Sequence, residues 1–447
     1  MQDEDDLFGA VFGTEEARRR TSGTAWVQAM LDFEAALAAA QADAGLVPEE
    51  AASAIAARCR AELFDVPSLA TRAADSATPV IALVRDLGEL VDPAARAHVH
   101  RGATSQDVVD TAAMLLARRV LDPLLADLSA AADECARLAR EHRGTTMIGR
   151  SLLQQALPTT FGLRCATWLT ALDEAAAALV RVRDERLAVQ LGGPAGTLSS
   201  LGGSGVEVVA RVAERLGLAE PVVPWHTDRT RIAELAGALG AVGGALGKIA
   251  QDVALHAQTE VGELTDGKAG GSSAMPHKRN PVGAVLVTAT TRRIPQLAAT
   301  LLAAMPQEYE RAAGGWQAEW EPLTELLRLA ATATARTREL LAGLRVHPDR
   351  MAANLDLTRG LVMAEAATGP LMAALGRTEA QDLVSEVCRR AVERGTSLRA
   401  ELLDDQRVRA VLSADEVRAA TEPADHLGSA AAFIDRALTA HTERENR

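Results

Sequence analysis

Apolar residues after Pro224 recur at a helical period. Ile232, Leu235, Leu239, Val242, Leu246, Ile249 and Val253 follow steps of three and four, the a/d rhythm of a helix packed lengthwise against others. Thr227 or Asp228 can cap its start, and no proline occurs between Pro224 and Pro276. The spacing predicts one helix over 229–262, roughly 50 Å long at 1.5 Å per residue, which needs partners along its length. Gly240, Gly243, Gly244 and Gly247 each cost about 1 kcal/mol relative to alanine in a helix, so they point to close helix crossings in a bundle core, within or between subunits.

The pattern predicts further long helices over 107–141, with a kink at Pro123, over 168–190, and from Glu321 or Pro322 to Leu344. Trp316 and Trp320, one turn apart, read as a core stripe, and Trp225 as core packing. Strand-forming clusters of β-branched and aromatic residues are few, so the fold class is all-α. Prolines 48, 67, 79 and 93 break the first part, and shorter helices follow His347-Pro348. The expected division is an N-terminal helical domain (1–110), a central long-helix bundle (111–350) and a C-terminal helical domain (351–447).

Composition narrows the partners. The 447 residues are 48% hydrophobic and 24% charged, a folded chain, with 47 Lys and Arg against 60 Asp and Glu. The net charge of −13 disfavours nucleic acid and anionic membranes. No charge-free run of about 18 apolar residues occurs, so no membrane span is expected. The acidic start, Gln2 to Asp6, does not read as a signal peptide. Cys59, Cys135, Cys165 and Cys388 form no CxxC pair, as expected of thiols in a reduced cytoplasm. His98 and His100 suggest no third ligand nearby, so neither a metal nor a cofactor is expected.

The most unusual stretch is Gly267 to Pro281, which sets glycines, Ser272, Ser273, Lys278, Arg279 and Asn280 between helices. Glycines and exposed amides can form an anion-binding nest, with Lys278 and Arg279 holding negative charge. The plainer reading is a solvated interhelical turn. Gly262 to Lys268 spells GxxxxGK, but Ala269 follows, Glu263 and Asp266 lie inside, and a helix precedes it, so it is no P-loop.

The block GGSSAMPHKRNP at 270–281 resembles the signature of the fumarase/aspartase superfamily. Two more blocks follow the superfamily's order, HRGATSQD at 100–107 and GRSLLQQA at 149–156. Within it the chain is most similar to the bacterial carboxymuconate cycloisomerases, through GATSQD, PWHT at 224–227, MPQEYERAAGGWQAEWEPL at 305–323 and PVGA at 281–284. The resemblance implies three helical domains, a homotetramer around a 20-helix core, active sites shared between chains, and a mobile catalytic loop over about 265–282.

It also implies roles. Ser272 is the catalytic residue of the loop, acting as an alkoxide stabilised by Lys278 and loop amides or as a neutral proton donor. Lys278 and Asn280 bind a carboxylate and the enolate-like charge beside it, with Ser273 and Met275 lining the substrate. Superfamily members pair this lysine with a glutamate where this chain has Val285, which frees Lys278 for substrate. Thr104 and Ser105 donate to a second carboxylate, while Asp107 is read as a helix cap. His100 matches a histidine near substrate, Arg101 adds a cation suited to bidentate carboxylate binding, and His226 lies close by. Gln154 contacts ligand or satisfies a helix end, as does Gln155 with less weight. Leu152 stands where fumarases and succinyl lyases carry a histidine, and a leucine transfers no proton.

These features lead to a cytoplasmic, cofactor-free enzyme of small polycarboxylates, a lactonising cycloisomerase of 3-carboxy-cis,cis-muconate. A fumarate-releasing lyase acting on a substituted succinate is the first alternative, with Leu152, Gln155 and Arg164 marking a remodelled pocket. A non-catalytic helical scaffold is the second.

Overall fold

The computed structural model describes residues 7–445 apart from 269, 272–274, 276 and 277. Helices dominate, the longest being Gly23–Asp43, Ser105–Glu141, Phe161–Arg181, Thr230–His256 and Trp320–Ala342. The chain forms two compact units. One joins the stretch ending at Ser129 to Glu174–Lys248 and Leu286–Thr337; the other joins Ala130–Asp173 and Ile249–Val285 to the stretch from Arg338 on.

All seven a/d residues of Thr230–His256 are fully buried, as their spacing requires. By length and composition this helix is apolar enough to cross a membrane, but the core helix of a globular protein meets the same test. It ends at His256 rather than at 262. There Gly262 adopts φ 61°, Glu263 N–H donates to His256 O at 2.9 Å, and the chain folds back so that the two side chains meet. The helix expected at 168–190 starts earlier, at Phe161, because Thr160 Oγ1 accepts from Leu163 N–H at 3.1 Å, and it gives way to a π-turn over Val182–Arg186. Ser105–Glu141 continues through Pro123, and Pro322 sits in the first turn of Trp320–Ala342.

A β-hairpin, Thr146–Ser151 paired antiparallel with Gln154–Thr160, stands where no strand was expected. Leu152 and Leu153 form its tip with φ 50° and 65°, the positive pair that a type I′ turn demands and that favours Asn-Gly. The usual turn signal is therefore missing from the sequence.

In the first unit a Cβ at Gly243 would stand 2.9 Å from Ile294 Cδ1 and Cγ2, and one at Gly247 would stand 3.0 Å from Thr291 Oγ1. These two glycines mark close crossings within the chain. A Cβ at Gly240 or Gly244 meets no atom within 4 Å among the described residues. In the second unit Met363, Leu371, Leu383, Val387, Leu398 and Val417 gather in a C-terminal core.

Gly243→Ala is therefore expected to lower stability by about 1–3 kcal/mol through overpacking, partly offset by the better helix propensity of alanine. Gly240→Ala in the isolated chain should not. Denaturant midpoints of the two variants, measured side by side, check the difference.

Candidate active site

In the first unit the turn before Ser105–Glu141 carries the His100 block. His100 takes φ 57°, and Gly102 takes φ 78° where a Cβ would stand 2.7 Å from Leu201 Cδ2. The His100 Nδ1 lies 2.7 Å from Oε1 of buried Glu34, which leaves Nε2 without a partner among the described residues. Burial disfavours the imidazolium, but the charge and hydrogen bond of Glu34, with Asp107 behind it, outweigh burial and raise its pKa. Glu34 thus favours the protonated form of His100.

Asp107 caps the helix as read, accepting from Thr104 N–H at 2.9 Å, and does more. Its carboxylate also accepts from Gly192 N–H and Gly193 N–H, each at 2.9 Å, and lies 2.7 Å from His226 Nε2. All of these groups are occupied within the fold, including His226, which is buried. Trp225 is core, its indole donating to Val189 O. The Arg101 guanidinium donates from Nη1 to Leu46 O and its carbonyl accepts from Gln41, and no carboxylate pairs with it among the described residues. Ser105 is half-buried.

Sequence reasoning missed Arg311. It sits between Ile294–Ala303 and Trp320–Ala342 on a loop pinned by Gln307 Nε2 donating to Glu319 Oε1 at 3.0 Å and Thr227 Oγ1 donating to Tyr309 O at 2.9 Å. Its guanidinium donates from Nε to Gln106 Oε1 at 2.7 Å and from Nη1 to Thr104 Oγ1 at 2.8 Å, and lies 5.7 Å from the Trp316 ring. Burial pulls its pKa down against the upward pull of Asp107 and Asp110. Among the described residues no carboxylate pairs with it, so a half-buried cation is left beside Thr104 and Ser105 for an anion. Buried Arg229 differs, because Asp110 and Glu319 grip it from both sides and Trp316 Nε1 donates to the same Asp110 at 3.0 Å.

In the second unit fully buried Glu263 organises the hairpin. Arg150 donates to both its oxygens at 3.0 and 2.7 Å, His256 Nδ1 lies 2.6 Å from Oε2, and Asn354 Nδ2 donates to Oε1 at 2.7 Å. Burial raises its pKa, but hydrogen bonds from His256, Arg150 and Asn354 win and hold it at about 2. Gln155 donates to Asn354 O at 3.0 Å, a structural bond, whereas Gln154 is exposed beside the tip. Arg164 lies 3.5 Å from Asp252, which also accepts from Trp168 Nε1.

The same unit holds the loop. Gly270–Gly271 pairs antiparallel with Arg279–Asn280 and closes its base. A Cβ at Gly267 would stand 2.5 Å from Gly343 O, and Lys268 pairs with Glu339. Met275 and Lys278 are exposed, and Asn280 is half-buried. Among the described residues no carboxylate pairs with Lys278, and Val285 is exposed. Ser272 and Ser273 lie outside the described residues. The candidate residues thus divide between the units, with His100, Arg101, Thr104, Ser105 and Arg311 in the first and Gln154, Met275, Lys278 and Asn280 in the second.

Glu263 yields a stability prediction. Its folded pKa is depressed, so its contribution is present above the unfolded value of 4.5 and is lost as pH falls from there toward about 2. Acid titration should show a loss of about 3 kcal/mol in that window. Glu263→Gln should abolish that limb and, by leaving Arg150 and His256 uncompensated, lower neutral-pH stability by about 3–5 kcal/mol.

Comparison with known proteins fits this geometry. Residues 5–295 match the lyase family, and residues 360–437 match the family described as adenylosuccinate lyase C-terminus. The chain is 46% identical over 441 residues to a 3-carboxy-cis,cis-muconate cycloisomerase of Pseudomonas aeruginosa, covering 97% of this chain and 96% of the relative. It is 44% identical to a nitrosuccinate lyase of Streptomyces davaonensis, covering 93% and 91%. Among solved structures, the 3-carboxy-cis,cis-muconate lactonizing enzyme of Pseudomonas putida superposes with a TM-score of 0.93 at 43% identity, over 98% of this chain and 99% of that one. Full-length enzyme relatives leave no ground for a silent scaffold. With the signature blocks, the helical fold and these matches together, the chain belongs to the lyase family of the fumarase/aspartase superfamily and is an enzyme.

Proposed function

We propose that the chain closes 3-carboxy-cis,cis-muconate to a carboxymuconolactone, on the β-ketoadipate route of aromatic catabolism and with no cofactor. The observation that carries the substrate assignment is the 46% identity, over 97% of the chain, to the Pseudomonas aeruginosa cycloisomerase. An ionised substrate carboxylate adds through oxygen to an alkene carbon. The C–O bond forms, the π pair moves to the carbon beside another carboxyl, and a proton then joins that carbon. Lys278 and Asn280 stabilise the enolate-like charge and Ser272 delivers the proton, regaining one from solvent. Arg311, with Thr104 and Ser105, holds a second carboxylate, and His100 faces a third. Substrate folding supplies much of the rate, since the nucleophile belongs to the substrate.

The proposal extends to assembly. Four chains pack their long helices into a 20-helix core and share active sites, and the enzyme works in the cytoplasm. Open space at Gly240 and Gly244 supports close packing of further copies, and the four free cysteines support a reducing compartment. The proposed division into three domains near residues 110 and 350 has support only at its second boundary, where the second family match begins at residue 360. Light scattering should report a tetramer of 47.0 kDa chains, and a monomer would refute the shared sites.

Purified protein mixed with 3-carboxy-cis,cis-muconate should bleach the conjugated-diene absorbance and yield lactone by NMR. Ser272→Ala should cut kcat by about 10²–10⁴-fold. Arg311→Gln should lower kcat/KM by about 10–100-fold, mainly through KM, with the fold intact by circular dichroism. Fumarate released from nitrosuccinate, with no lactonisation, would move the assignment to the second reading, which the 44% identity to the Streptomyces lyase favours.

A further inference from the structure

A cavity of about 590 Å³ opens in the first unit, and none of His100, Thr104, Ser105 or Arg311 lines it. Its volume is that of a small-molecule site. Two indoles set its shape. Trp26 is fixed by Nε1 donating to Thr324 Oγ1 at 3.1 Å, and Trp320 by edge-to-face contact with Trp316 at 4.8 Å between centroids. Val27, Met30 and Leu69 supply buried apolar wall. Flat, preordered aromatic faces with aliphatic sides suit a ring.

The polar groups select its charge. Arg328 lines the cavity and spends only Nε, on Thr21 Oγ1 at 3.0 Å, and no carboxylate pairs with it among the described residues. Glu325, one turn earlier, is taken by Arg293, while Glu321 is exposed along the same wall. One available guanidinium beside a carboxylate, Glu321, that has no cationic partner among the described residues accepts a single negative charge and repels a second.

We propose that this cavity is a second binding site, separate from the catalytic one, for an aromatic monocarboxylate. Its carboxylate pairs with Arg328 and its ring lies against Trp26 and Trp320. A polycarboxylate such as the proposed substrate is excluded by Glu321.

The test titrates 3-phenylpropanoate into the full-length enzyme by calorimetry, with tryptophan fluorescence as a second signal. One site per chain with a Kd of about 1 mM or tighter is expected. Arg328→Gln removes the cation. Ala70→Trp fills the cavity from an exposed helical position and so leaves the fold intact even where the arginine variant does not. Each should weaken binding at least about tenfold, while tricarballylate should not displace the ligand. Absence of saturation, equal affinity in both variants, or displacement by tricarballylate would each overturn the proposal, the last by placing the ligand in the polycarboxylate site.

Discussion

The region around Thr104 depends on the buried Asp107 carboxylate. It gathers the first turn of Ser105–Glu141, the backbone of Gly192 and Gly193, and the His226 ring before Thr230–His256. Glycine is required at both backbone donors. A Cβ at Gly192 would lie 2.8 Å from Pro224 Cβ and 2.9 Å from His226 Cε1, and Gly193 adopts φ 69° with its would-be Cβ 2.9 Å from Gly102 O. Losing the carboxylate would orphan several buried donors, each worth about 1–3 kcal/mol. The turn that orients His100 and Thr104 is thus set by a residue that is itself sealed from ligand.

Around that anchor the cations fall into two classes. Arg229 and Arg150 are fully matched by carboxylates, and such buried networks fix geometry. Arg311 instead meets only neutral oxygens from Gln106 and Thr104, and Lys278 meets no carboxylate among the described residues. Partial desolvation strengthens the Arg311 charge toward an arriving anion. This distribution is the physical reason an acidic protein can serve a polyanionic substrate.

The long helices were legible because their period is a local property: seven apolar residues at steps of three and four all lie buried. Their ends were not, since the stop at His256 depends on its meeting Glu263 and the start at Phe161 on the Thr160 hydroxyl. The hairpin escaped because leucines occupy a turn that ordinarily announces itself with Asn-Gly. Among site residues, the GGSSAMPHKRNP and GATSQD blocks were visible as strings. Arg311 was not, because its partners lie 205 and 207 positions away. The bond from Arg101 to Leu46 O was equally hidden, since its partner is 55 positions distant.

The hairpin tip sets local preference against position. Leu152 and Leu153 hold left-handed conformations that cost about 1–2 kcal/mol each for a residue with a side chain. They also stand 97% and 74% exposed, so neither gains from burial in the chain itself. The strain persists because the strands just below the tip are clamped, Arg150 to Glu263 on one and Gln155 to Asn354 on the other. Local physics favours Asn-Gly at such a tip, and no contact among the described residues explains the two leucines.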